Sequence, residues 1–111
     1  MDIHLRDLKY FETVAELGHL GQAADKLGRT QPALTKCVQR LENAFGSALF
    51  ERKGRGIQLT PVGEVLLARA RLLRSATEEA LREVGDFARG NAGHGSIVRH
   101  TNRKPVLPVV S

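Results

Sequence analysis

The chain has 111 residues, with 17 Lys and Arg against 12 Asp and Glu, a net charge of +5 and a pI near 10; this length holds one modest core and is too short for two packed domains. No apolar run approaches the roughly 20 residues that cross a bilayer. The N-terminus lacks the basic start and apolar stretch of a signal peptide, and Cys37 has no second cysteine to pair with, so neither a secreted nor a membrane-embedded protein is expected, and a reducing cytoplasm is. In chain order, Asp7 to Leu17 places Leu8, Phe11, Val14 and Ala15 at spacings of three and four, which predicts an amphipathic helix stopped at Gly18. Gly21 to Leu27 predicts a short second helix with Ala23, Ala24 and Leu27 inward, and Gly28 supplies a sharp turn. Thr30 is positioned to cap a third helix, with Pro32 at an early position whose missing amide hydrogen costs nothing. That helix runs to about Phe45 and ends at Gly46; Leu34, Val38 and Leu41 form its apolar stripe, leaving Thr35, Lys36, Gln39 and Arg40 to face elsewhere.

After Gly46 two short extended runs, Ala48 to Arg52 and Gly56 to Thr60, flank Lys53, Gly54 and Arg55, which reads as a β-hairpin with a cationic tip. Thr60 and Pro61 repeat the cap-and-proline signal and open a helix to about Arg89, roughly 28 residues or about 42 Å long. Its Leu66, Ala70, Leu73, Thr77, Ala80, Val84 and Phe87 alternate spacings of four and three, a heptad seam. Only its first two turns are expected to reach so small a core, so the remainder needs a partner, and a second copy is the economical one. Asn91 to Ser96 is Gly-rich, and the stretch through Pro105 and Pro108 has no usable period.

The charge is unevenly spread. Lys26 to Thr60 carries seven basic residues (Lys26, Arg29, Lys36, Arg40, Arg52, Lys53, Arg55) against Glu42 and Glu51, whereas Pro61 to Gly90 balances five arginines with five acids. The second pattern describes a solvated helix face, the first a polyanion site. Two short helices joined by a tight turn, the second capped and polar outward, make a helix-turn-helix unit whose second helix fits the major groove of duplex DNA. Gln31 is suited to adenine, Lys36 and Arg40 to guanine or phosphate, and Thr35 to phosphate or a thymine methyl. The helix start at Thr30 suits a phosphate oxygen. Arg52, Lys53 and Arg55 make a slim cationic finger for the minor groove or the backbone.

Asp7 to Phe11 followed by AADKLGRTQPALTKCVQRLENAFGSALFERKGRGIQLTPVG resembles the amino-terminal domain of LysR-type transcriptional regulators, over residues 3 to about 90. The resemblance rests on Ala23-Ala24, Leu27, Gln31-Pro32-Ala33-Leu34, Leu41-Glu42, Gly46, Leu49-Phe50, Arg52, Arg55, Leu59-Thr60 and Gly63. It implies a winged helix-turn-helix in which Gln31, Pro32, Thr35 and Lys36 meet the major groove and Arg55 the minor groove, and a long helix that pairs antiparallel with its copy. Three positions depart from the pattern. Gly21 stands where Ser or Thr is frequent, which removes or moves a phosphate contact. Arg29 replaces an apolar turn residue and is placed to reach DNA instead. Val62 replaces a small residue without expected effect.

Duller roles compete at several positions. Gln31 and Thr35 could be ordinary exposed residues, and Arg40 could pair with Glu42 or with an acid of the first helix. Arg52 could brace the wing from within. Cys37 fits a small, half-buried apolar position better than a redox sensor, and His4, His19, His94 and His100 lack metal-site spacing.

The fold expected is all-α with a small β-hairpin wing: a winged helix-turn-helix over residues 1–60, a linker and dimerisation helix over 61–90, and over 91–111 a hinge and the start of a missing effector-binding domain. The protein is then a sequence-specific regulator of transcription that binds inverted half-sites of double-stranded DNA as a homodimer or tetramer, with RNA polymerase a further candidate partner. DNA contact is assigned to Arg29, Thr30, Gln31, Pro32, Thr35, Lys36, Gln39, Arg40, Arg52, Lys53 and Arg55. No catalysis, cofactor or metal is expected. The alternative is a winged helix that binds another polypeptide.

Overall fold

A computed structural model describes residues 3–90; the hinge expected over 91–111, with His94 and His100, lies outside them. The order is α1 (Leu5–Leu17), α2 (Leu20–Leu27), α3 (Gln31–Phe45), β1 (Phe50–Lys53), β2 (Gly56–Leu59) and α4 (Pro61–Ala88). All four expected helices and the hairpin are present. α1 begins two residues before the expected start, because the His4 amide donates to Asp7 Oδ2 at 3.4 Å and extends the cap backwards. Thr30 Oγ1 accepts from the Ala33 amide at 3.2 Å and opens α3. Gly18, Gly28 and Gly46 close the three short helices in left-handed conformation.

Two layers of side chains make the core. Phe11, Cys37, Leu41 and Leu49 form one cluster, and Val14, Ala23, Ala24 and Leu34 the other, with Tyr10 and Phe50 packed against both. The rings of Phe11 and Phe50 lie 5.3 Å apart at 47°, within the range of favourable tilted pairs. The inward stripe of α3 is therefore Leu34, Cys37 and Leu41, not Leu34, Val38 and Leu41; Val38 is half-buried. Both patterns satisfy helical spacing, and the position of α1 against α3 selects the first.

The wing is a two-stranded antiparallel hairpin with Phe50 opposite Leu59 and Lys53 opposite Gly56. Lys53 is thus the last ladder residue of β1, and the loop shortens to Gly54 and Arg55. Gly54 has φ 59°, the conformation that two-residue hairpin turns demand. The wing is tied down at both ends. The Ile57 amide donates to Gly18 O at 3.1 Å, and the Thr60 amide to Leu49 O at 3.0 Å. Gly63 lets α4 approach closely, since a Cβ there would collide with the Leu49 carbonyl oxygen.

The described residues fall into two compact units, one ending at Arg74 and the other beginning at Ser75, inside α4. In the first unit Leu66 and Leu67 pack on the Phe11 cluster and Ala70 is 3% exposed. Farther along, Arg74 grips the nearly buried Glu12, with Nε 3.1 Å from both carboxylate oxygens, and Arg71 lies 3.4 Å from Glu16. Contact with the core therefore extends well past the expected two turns. Of the proposed seam, Leu66 and Ala70 belong to their own domain. Leu73 is 47% exposed and, in the second unit, Val84 is 65% exposed; Leu81, outside the seam, is 69% exposed. Among the described residues no helix is long and apolar enough to cross a membrane, and no group of three or more His, Cys, Asp and Glu could hold a metal ion.

Candidate nucleic-acid interface

The helix-turn-helix is built from α2, the turn Gly28–Thr30 and α3. Burial of Leu34, Cys37 and Leu41 fixes the rotation of α3 and turns Gln31, Pro32, Lys36 and Gln39 to solvent, with Thr35 half-buried beside them. These are five of the residues assigned to DNA contact, brought to one face. Thr30 is exposed, but its hydroxyl is committed to the cap. Its role at the interface is thus to hold the helix start, where the remaining free amides and the positive dipole end suit an anion.

Arg40 lies on one flank of that face. Its terminal nitrogen donates to Asp7 Oδ1 at 2.9 Å, and the Asp7 side chain is fully buried while Arg40 is 47% exposed. Of the two acids considered for it, the one on α1 is its partner. Glu42 accepts the Leu49 amide at 2.8 Å and so braces the base of the wing. Burial pushes the Asp7 carboxyl toward neutrality, but the hydrogen bonds from Arg40 and the His4 amide and the Arg40 charge outweigh it and hold the group below the usual carboxylate range. Cys37 donates to the same site, with Sγ 3.5 Å from Asp7 O and 3.6 Å from Asp7 Oδ1. Burial, followed by the Asp7 charge and hydrogen bond, pushes its thiol up to about 12. A thiol held protonated and buried is chemically inert at neutral pH, which matches the apolar role and not redox sensing.

In the wing, Arg52, Lys53 and Arg55 are all exposed around Gly54. Arg52 sits opposite Ile57 in the ladder and has no ion pair among the described residues, so the internal brace considered for it is not what the structure shows. In the turn between α2 and α3, Arg29 donates from Nε to the Tyr10 hydroxyl at 2.9 Å.

Gly21 has a specific neighbour that the sequence did not reveal. His19 caps α2, its Nδ1 accepting from the Gln22 amide at 3.1 Å. A Cβ on Gly21 would lie 3.0 Å from His19 Cε1 and 3.6 Å from Gln31 Oε1. The imidazole thus occupies the space beside Gly21, at the start of α2 and next to a predicted base-reading residue. The local signal was a histidine immediately before a helix start, a weak one, since histidine is not among the strong capping residues.

Known proteins resemble this chain over most of its length. The sequence model of the family described as "Bacterial regulatory helix-turn-helix protein, lysR family" matches residues 5–64. The HTH-type transcriptional regulator TfdT of Cupriavidus pinatubonensis (strain JMP 134 / LMG 1197) is 42% identical over 96 residues, which are 86% of this chain and 42% of TfdT. Among solved structures, the BenM_DBD/catB site 1 DNA complex superposes with a TM-score of 0.79 at 35% identity, covering 83% of this chain and 99% of that one. CbnR, a LysR family transcriptional regulator, gives 0.75 at 39% identity, covering 79% of this chain and 30% of its own. The chain thus spans about two fifths of the length of the curated relative.

Proposed function

The chain belongs to the lysR family of bacterial regulatory helix-turn-helix proteins, and from that premise we propose that it binds double-stranded DNA sequence-specifically and regulates transcription. The observation that carries this is the joint exposure of Gln31, Pro32, Lys36 and Gln39 on one face of a capped α3, in a domain that also exposes Arg52, Lys53 and Arg55 on its hairpin. Gln31, Thr35, Lys36 and Gln39 are the groups offered to base edges and adjoining phosphates, and Arg52, Lys53 and Arg55 to the backbone or minor groove. Arg40, anchored by Asp7, is assigned to a phosphate and not to the base edges.

Residues 61–90 act as a linker in this proposal, and two copies pair through the part of α4 beyond Ala70, including Leu73, Thr77, Ala80, Val84 and Phe87. Exposed Leu72 and Leu81 border that stripe and enlarge the apolar area a partner would remove from water. A two-fold dimer reads inverted half-sites. Such a protein works in the cytoplasm, where it meets RNA polymerase at promoters, and the proposal assigns it no catalytic step.

Selection of bound duplexes from a random library tests the function. We expect an enriched inverted repeat that binds at least about a thousand-fold more tightly than a scrambled duplex at moderate salt. Equal affinity for the two duplexes would refute sequence-specific binding.

A further inference from the structure

Two arginines from separate elements converge on one aromatic ring. Arg29, in the turn before α3, donates to the Tyr10 hydroxyl at 2.9 Å, and its guanidinium carbon is 5.7 Å from the ring centroid. The guanidinium carbon of Arg6, one turn earlier on α1, is 6.0 Å from the same centroid. Tyr10 packs against both core clusters, so its hydroxyl is a fixed point at the edge of the core. Because that oxygen accepts from Arg29, its own proton remains to be donated elsewhere. Both ring contacts lie at the outer reach of cation–π attraction, too weak to explain why two like charges gather there. Among the described residues neither arginine has a carboxylate partner. The neighbouring acid, Asp7, is buried and paired with Arg40.

Two cations beside one tyrosine, one of them on its hydroxyl, with no carboxylate partner among the described residues, suit a singly charged tetrahedral oxyanion. The position says which one. Arg29 immediately precedes Thr30, the cap of α3. Arg40, whose partner Asp7 follows Arg6, stands about 200° around α3 from Glu42, the residue that holds the wing. We propose that Arg6, Tyr10 and Arg29 clamp a backbone phosphate of duplex DNA at the border of the footprint away from the wing. Arg6 and Arg29 supply charge and Tyr10 supplies the directional hydrogen bond. The clamp rests on the assignment of α3 to the major groove and extends that footprint onto α1.

Fluorescence anisotropy of the 111-residue chain on a random-sequence duplex, over a salt series, tests it. Arg6→Gln and Arg29→Gln should each reduce the slope of log affinity against log salt, and together by about 0.9, the value for one neutralised phosphate. Arg29→Lys should restore the slope, and Tyr10→Phe should weaken binding several-fold at every salt while leaving the slope unchanged. Arg82→Gln, from the charge-balanced long helix, sets the level of no effect. If both glutamine variants keep the wild-type slope while Arg55→Ala lowers it, the clamp is wrong and DNA binding stands; a flat wild-type slope overturns both. Replacing single phosphates of a selected duplex by methylphosphonates gives a measurement independent of variant folding. The wild type should lose affinity at a position where Arg29→Gln is indifferent, and the lack of any such position overturns the clamp.

Discussion

Arg40 and Asp7, 33 residues apart, meet at 2.9 Å between α3 and α1, and the pair joins the two helices and sets the direction in which Arg40 points. Asp7 is the buried member and carries three donors: Arg40, the His4 amide and the Cys37 thiol. Removing its charge disturbs the cap of α1, the α1–α3 contact and the aim of Arg40 together.

Asp7→Asn is expected to lower stability at pH 7 by about 1–3 kcal/mol, the range for leaving a buried hydrogen-bonding group mismatched. Arg40 is half-exposed and rehydrates, which keeps the loss below that of a fully buried broken pair. The folded-state pKa of Asp7 is depressed, so its contribution is full above the unfolded value near 4 and is lost as pH falls through the lower folded value. Denaturant titrations from pH 7 to pH 2 should therefore show the gap between wild type and variant narrowing only below about pH 4. A gap independent of pH would remove the carboxylate from the explanation.

Cys37 should resist thiol reagents. With its pKa near 12 and its side chain buried, an aromatic disulfide reagent at pH 8 should react only as fast as the domain opens, and denaturant should accelerate the reaction by orders of magnitude. Rapid stoichiometric labelling of the native protein would contradict the burial described.

Base reading is assigned to Gln31. Gln31→Ala should cost about 1–3 kcal/mol on the selected site while leaving random-duplex binding nearly intact. Equal losses on the two duplexes would reassign the residue to the backbone.

The exposed wing tip predicts a charge effect without a base preference. Arg55→Ala should weaken all duplex binding and reduce the salt slope by roughly one unit. An unchanged slope and affinity would assign Arg55 to solvent.

α4 separates two outcomes along one helix. Ala70 is 3% exposed in its own domain, so Ala70→Glu buries an unpaired charge and should destabilise the fold by several kcal/mol. Leu73→Glu, at a half-exposed site, should leave the domain folded but convert a dimer to a monomer by light scattering. Binding to two half-sites should then fall far more than binding to one. A wild type that is monomeric at tens of micromolar, or a Leu73→Glu variant that keeps its dimer mass, would exclude pairing through α4.

The local elements were legible in the chain itself. Thr30 with Pro32, Thr60 with Pro61, the closing glycines and the cationic tip around Gly54 each act within a few residues, and helical spacing marks an apolar face without reference to the rest of the molecule. The family pattern likewise sits in contiguous residues, which is why the helix-turn-helix and its outward Gln31, Lys36 and Gln39 could be named beforehand. Tertiary structure decided what depends on how one helix is turned against another. Cys37 rather than Val38 lies inward, Arg40 answers to Asp7 rather than Glu42, and Leu66 and Ala70 pack on their own core although they continue the spacing of Leu73. Tyr10 gathers Arg6 and Arg29, which no local pattern links. Helical spacing admits neighbouring rotations that differ by about 100° per residue, too coarse to choose between adjacent candidates; the choice is made by close packing and by the need of one buried carboxylate for partners from two helices.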